Sequence, residues 1–225
     1  MNITVTIARQ LGCGGSEIGR RIASALGVRC IDREIISRTA ERFDLSEREV
    51  AAREERVSSF WERMLNGFAI GAPEAAYLAP PFQTPTDQEI FEDETEVLRT
   101  TAQQESCVIV GRAAAHILEP HPGMVNLLLH APLKFRVPRV MEYYGAGDEE
   151  QARALIAQSD AMRGKFMAQM AKKSWTAAEN YHLAVDSSTL PLPELAEFLT
   201  AYIRRKVAVA REQTATEPAS EAPGT

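Results

Sequence analysis

The 225-residue sequence predicts an α/β domain with a doubly wound, five-stranded parallel sheet. Three observations carry that prediction. Short apolar runs recur along the chain without polar alternation, as expected of strands covered by helices on both faces. Charged helical stretches separate these runs. The first run leads directly into a glycine cluster, Gly12, Gly14 and Gly15, that opens a helix.

The elements follow in order. Residues 3–7 form the first strand, and the helix after the glycine cluster carries Ile18, Ile22, Ala25 and Leu26 on one face. Gly27 stops that helix, and residues 28–31 form a second strand closing on Asp32. This is the length of a βαβ unit. Residues 33–101 are mostly helical and strongly charged, with capping boxes at Ser46/Glu49 and Thr86/Glu89. Between the boxes, residues 71–85 hold Pro73, Pro80, Pro81 and Pro85 and read as a long loop whose length suggests function. A third strand is expected at 107–110, followed by Gly111-Arg112, a helix over 113–118 ended by Pro120 and Pro122, and a fourth strand at 124–130. Residues 134–173 are helical and basic. A fifth strand at 183–185 ends at Asp186, and an amphipathic helix spans 193–207. From about residue 209 the polar, proline-containing sequence reads as a disordered tail, so that one domain occupies residues 1–208.

Composition narrows the function classes. A hydrophobic share of 45% suits a soluble globule, and a net charge of −6 opposes general electrostatic binding to nucleic acid or to an anionic membrane. Small molecules are the expected partners. The sequence has neither an apolar run long enough to cross a bilayer nor a basic-then-apolar leader, which predicts a cytoplasmic location. Cys13, Cys30 and Cys107 make an odd count at no metal-ligand spacing, as reduced thiols do. Cys30 and Cys107 lie in apolar runs and read as core. Cys13 stands before a helix N-terminus, where two readings are open: a small residue in a tight loop, or a thiol of lowered pKa. His116, His121, His130 and His182 have no partner spacing for a metal or a nucleophile.

The glycine cluster can be laid on the phosphate-loop pattern G-x-x-x-x-G-K-[ST]. Arg9 then stands at the first glycine, Gly14 at the second, Gly15 at the lysine and Ser16 at the Ser/Thr. Two of four fixed positions match. The backbone part of a phosphate site is intact, because Gly12, Gly14 and Gly15 can turn N–H groups inward and the helix N-terminus adds a partial positive charge. Ser16 is the candidate Mg²⁺ ligand. The lysine that would stabilise charge during transfer is missing, and a glycine turn can also serve close packing alone.

Five blocks extend the reading. ITVTIARQLGCGGSEIGRRIASALGVRCIDREII, CVIVGRAAAHIL, LLLHAPLKFRVPRVMEYYG, IAQSDAMR and KKSWTAAENYHLAVDSS resemble, in that order, the cytidylate kinase-like family, a divergent branch of the P-loop nucleoside monophosphate kinases. The resemblance covers most of residues 1–205. It implies a P-loop NTPase-type sheet with a helical acceptor-binding insert at about 33–101 and a helical lid at about 134–180. The implied reaction moves the γ-phosphoryl group of ATP onto CMP or dCMP with Mg²⁺.

The resemblance also implies roles. Arg9, Gly12, Cys13, Gly14, Gly15, Ser16 and Glu17 would cradle the ATP phosphates. Asp32, Arg38 and Arg112 would hold the acceptor, and Arg112, Arg139 and Arg163 would serve catalysis, with Asp160 orienting Arg163 from three residues away. Each has a structural alternative. Asp32 can cap a helix, Arg38 can be a solvated charge, Arg112 can form an ion pair, and the basic run can be a solvated face. Trp175 and Tyr181 can stack on a base or pack the lid. Members of this branch commonly lack the loop lysine. Val110 stands where better-known cytidylate kinases carry an acidic residue, and Ala113 replaces the aspartate of their G-R-D motif. Two other functions fit the same residues: a nucleotide-binding regulatory or scaffold pseudokinase, and a kinase for another small acceptor.

Overall fold

The computed structural model describes residues 1–32, 87–111, 113–170 and 174–216. The chain divides into two compact units, one of Met1–Arg33 with Thr101–Thr225 and one of Glu34–Thr100. The elements are β1 (Thr4–Arg9), α1 (Gly15–Leu26), β2 (Arg29–Asp32), α2 (Asp87–Gln104), β3 (Cys107–Val110), α3 (Ala114–Ile117), β4 (Met124–His130), α4 (Leu133–Tyr144), α5 (Glu149–Met170), β5 (Leu183–Asp186) and α6 (Leu192–Thr216), with a 3₁₀ turn at Ala178–Asn180. The sheet has the order β2-β3-β1-β4-β5, and every pairing is parallel. Five parallel strands with helical crossovers are the architecture expected from the uninterrupted apolar runs.

Strand β1 is central, and its neighbours explain why its residues from Thr4 to Ile7 are all buried. Ile7 pairs with Val110 on one side and Leu127 on the other, and Val5, Ile7, Val108, Leu127 and Leu129 are completely buried. Ile18 and Ile22 of α1, with Leu195, Leu199 and Ile203 of α6, close over that layer. A second, smaller cluster of Leu11, Val137, Val140, Ala146, Ala152 and Ile156 joins the loop after β1 to α4 and α5. The buried hydroxyl of Thr6 is satisfied by donating to Asn126 Oδ1 at 2.7 Å.

Element boundaries carry local causes. Strand β1 runs two residues past the expected strand, since Ala8 and Arg9 continue the ladder opposite Leu128 and Leu129. Gly27 ends α1 at a φ of +69°, with its own N–H donating to Ser24 O and that of Val28 to Ala23 O. Asp148 opens α5 by accepting from Gln151 N at 2.8 Å, while Gln151 Oε1 accepts from Gly147 N, a reciprocal cap.

Helix α6 departs from expectation. It extends through Thr216, so residues 209–216 of the expected disordered tail are helical. No proline or glycine follows Val207 before Pro218, and Ala208, Ala210 and Ala215 are strong helix formers. Residues 217–225 lie outside the described residues. So do the capping box at Ser46 and the proline-rich stretch 71–85. Helix α2 begins one residue after Thr86 and reaches Gln104. Among the described residues no helix is long and apolar enough to cross a membrane.

Candidate active site

The order β2-β3-β1 places Asp32, Gly111 and Arg9 side by side at the carboxyl ends of three adjacent strands. The next strand beyond β1 is β4, so this is also where the strand order reverses, the usual place for a ligand in an open α/β sheet. Arg9 leaves the end of β1 and lies across the site. Its stem covers Gly15, where an added Cβ would stand 2.8 Å from Arg9 Cγ and 2.9 Å from Arg9 Cβ. Its guanidinium then passes over Gly111, where an added Cβ would collide with Nη1, and reaches Asp32 with Nη2 3.8 Å from Oδ1. The Arg9 side chain is 13% exposed and that of Asp32 0%. Gly111, at a φ of +83°, holds a backbone conformation that favours glycine, and a side chain there would have to displace the tip of Arg9.

The loop between β1 and α1 is pressed from two sides. Gly12 has a φ of +82° and a Cβ there would meet Arg136 O at 2.8 Å and Val140 Cγ2 at 2.9 Å. Gly14 has the same φ and a Cβ there would meet Leu192 Cδ1 at 2.5 Å. The chain thus turns tightly between α4 and the start of α6, and Gly14 caps α1 without a side chain. The first turn of α1 aims its amides and its dipole at this turn, and Ser16 stands half-buried within it.

Two charged residues of the basic helices fix the backbone of the loop. Asp160 Oδ1 accepts from Leu11 N at 3.2 Å, and Arg136 Nη1 donates to Leu11 O at 3.3 Å. The two side chains also meet each other, Arg136 Nη1 donating to Asp160 Oδ2 at 2.6 Å. Asp160 holds Arg163 as well, whose Nη1 lies 3.4 Å from Oδ1. Arg139 places Nη2 3.6 Å from Glu17 Oε2 in the first turn of α1, with its guanidinium 5.2 Å from the Tyr143 ring centroid and 5.7 Å from that of Phe135. Glu17 also accepts from Arg21 Nε at 3.1 Å.

Cys13 turns away from this surface. Its side chain is fully buried with Sγ 3.6 Å from Leu129 O, and its carbonyl accepts from Ser187 Oγ at 2.7 Å. Burial pushes the thiol up to about 11, although the Gly15 N–H and the charges of Arg9, Arg163 and Arg136 pull it down. This decides between the two sequence readings: desolvation outweighs the helix N-terminus, and the lowered thiol is set aside.

Trp175 and Tyr181 pack rather than line the glycine loop. Trp175 is 8% exposed, with Nε1 3.4 Å from where a Cβ on Gly164 of α5 would stand. Tyr181 donates to Trp175 O at 2.6 Å, meets the His116 ring edge-on at 5.7 Å, and has its hydroxyl pKa raised by burial to about 12. Of the expected site residues, Arg9, Gly12, Gly14, Gly15, Ser16, Glu17, Asp32, Arg139 and Arg163 are gathered around one end of the sheet. Arg38 and Arg112 lie outside the described residues. Arg136, Gly111 and Ser187 are further members that sequence reasoning did not single out. One signal for Arg136 was available, because it falls on the same helix face as Val140.

The chemistry of this assembly suits an anion. Paired positive-φ glycines, a helix N-terminus and the guanidinium groups of Arg9, Arg139 and Arg163 suit phosphate oxygens. Among the described residues no three His, Cys, Asp or Glu side chains converge. A Mg²⁺ ion held through the Ser16 hydroxyl and ligand phosphates fits that donor set, since Mg²⁺ binds through few protein oxygens where a phosphorylated substrate supplies the rest.

Comparison with known proteins adds a family and a fold. The profile of the cytidylate kinase-like family matches residues 4–189. Among solved structures, an uncharacterized protein from Eubacterium ventriosum superposes with a TM-score of 0.63 at 20% identity, covering 90% of this chain and 99% of its own. A gluconokinase from Sinorhizobium meliloti superposes with a TM-score of 0.53 at 16% identity, covering 94% and 97%. No curated protein matches the chain. At these identities the structural likenesses speak for the fold.

Proposed function

The chain belongs to the cytidylate kinase-like family, and from that premise we propose that it moves the γ-phosphoryl group of ATP onto a nucleoside monophosphate, CMP or dCMP, in the cytoplasm. Family membership supports nucleotide-dependent phosphoryl transfer in general. The choice of acceptor is the further step. Bound ATP supplies the transferable group, and Mg²⁺ neutralises the phosphate charge that builds up on it. The protein's own share is positioning and charge, because phosphoryl transfer requires no covalent intermediate with the enzyme.

The loop from Arg9 to Glu17 holds the phosphates in this reading, by its glycine backbone and the first turn of α1. Ser16 ligates Mg²⁺. Arg139 and Arg163 face the transferring group, and closure of α4 and α5 excludes water that would otherwise hydrolyse ATP. Asp32, Arg38 and Arg112 receive the acceptor. Asp160 fixes Arg163 and the loop together, so that one carboxylate sets the position of both a cation and the backbone.

One observation carries the proposal: three arginines, Arg9, Arg139 and Arg163, surround a glycine turn at the point where the strand order reverses. The test is a coupled assay of the purified protein with ATP, Mg²⁺ and a panel of nucleoside monophosphates. CMP or dCMP should be the best acceptor. Lack of turnover with every acceptor sinks the proposal, and ATP-dependent thermal stabilisation without turnover would point instead to a nucleotide-binding regulatory protein.

A further inference from the structure

The glycine loop departs from the phosphate-loop pattern at two places, with Arg9 where the pattern has glycine and Gly15 where it has lysine. The geometry makes these one departure. Position 15 has no room for a side chain because the Arg9 stem fills it, with Cβ 2.9 Å and Cγ 2.8 Å from an ideal Cβ. Those atoms lie next to the backbone of a strand at the centre of the sheet, so they cannot swing aside as the tip of a long side chain can. Even alanine at position 9 would leave the clash with its own Cβ. Only glycine at position 9 makes room for a side chain at 15, and this is the residue the pattern has when 15 is lysine.

We infer that Arg9 is the cation of this phosphate loop, and that positions 9 and 15 are exchangeable carriers of a single positive charge: arginine with glycine here, glycine with lysine in the common pattern. The inference rests on the reading of the loop as a nucleotide site. Two further residues fit it. Gly111 keeps the path of the guanidinium open, and Asp32 balances the charge from the far side at 3.8 Å.

The experiment measures ATP affinity by titration calorimetry on the full chain, for the wild type, Arg9→Gly, Gly15→Lys and the Arg9→Gly/Gly15→Lys double variant. Each single variant should weaken ATP binding by about tenfold or more, the first by losing the cation and the second by displacing it. The double variant should recover to within about threefold of the wild type, a coupling that independent sites do not show. Arg9→Met/Gly15→Lys should not recover, because methionine keeps the obstructing stem. Should Arg9→Gly fail to fold because the buried Asp32 loses its contact with Arg9, the same set is made in an Asp32→Asn background. Full ATP affinity in Arg9→Gly, or a double variant no better than Arg9→Gly, overturns the inference. A wild type that binds ATP with this pattern yet turns over no monophosphate overturns the proposed reaction and leaves the inference standing. Absence of ATP binding by the wild type overturns both.

Discussion

Arg136 and Asp160 meet at 2.6 Å on the helical side of the glycine loop, whereas Arg9 and Asp32 face each other at 3.8 Å across the ends of the strands. Both pairs are largely withdrawn from solvent. The first pair is woven into the backbone: between them the two side chains satisfy the N–H and the carbonyl of Leu11. The second is a charge contact without hydrogen-bond geometry, laid over two glycines. The difference separates shape from chemistry. One pair spends its polar atoms holding the loop in place, and the other keeps a cation near the loop in charge contact with a buried carboxylate.

Substitutions should expose that division, and the largest effect is expected on the clamp. Asp160→Ala strands Arg136, whose side chain is only 8% exposed, and should cost about 3 kcal/mol or more in urea denaturation. A cost below about 1 kcal/mol, the level of an exposed pair, would remove the clamp from the account. Next comes Arg9→Met, which keeps bulk over Gly15 and removes the charge. Turnover in the coupled assay should fall on the order of 10²-fold, as when one group stabilising the transition state is lost. If stability falls and turnover does not, the two pairs are alike and both are structural.

Gly15→Ala should act through volume alone. A methyl group pressed against Arg9 Cβ and Cγ costs about 1–3 kcal/mol of stability and should displace the arginine, raising KM for ATP. Wild-type stability and KM in this variant would mean that the stem yields without consequence. The smallest effect is in alkali, at Cys13, which feels the arginines of both pairs from beneath the loop. Its folded pKa of about 11 lies above the ordinary value of 9.0, so the folded state keeps a proton that the unfolded state gives up. The stabilisation is complete below pH 9 and is lost as pH rises from there towards 11, by about 1 kcal/mol at pH 10. Comparing denaturation of the wild type with Cys13→Ala across that window measures it, and identical slopes would show the thiol to be no more buried than in the unfolded chain.

Most of the sheet was legible because buried parallel strands leave continuous apolar runs, and residues 107–110 and 124–130 match β3 and β4 to the residue. The end of β1 was not, since Ala8 and Arg9 have no strand signature and join the ladder only because β4 runs alongside them. The loop was visible through its glycines. What could not be read was the relation among Arg9, Gly15, Gly111 and Asp32: it depends on β3 lying between β1 and β2, a matter of strand order that local pattern does not carry. Arg136 stayed hidden in a basic run for a related reason. Its partner, Leu11, is 125 residues away, and nothing in the run distinguishes a buried arginine from its solvated neighbours except the apolar face on which it falls.

Ser187 closes the floor of the loop by donating to the carbonyl of Cys13, 174 residues earlier, and Leu192 covers Gly14. The glycine turn is therefore given its final shape by a segment synthesised well after it. Until β5 and the start of α6 have been made and docked, the nascent chain carries the glycine turn without either contact, and the long-range closure that supplies them is the slow kind. Nucleotide affinity should accordingly arrive only after Ser187 and Leu192 have been made and docked, later than the synthesis of the glycine turn itself.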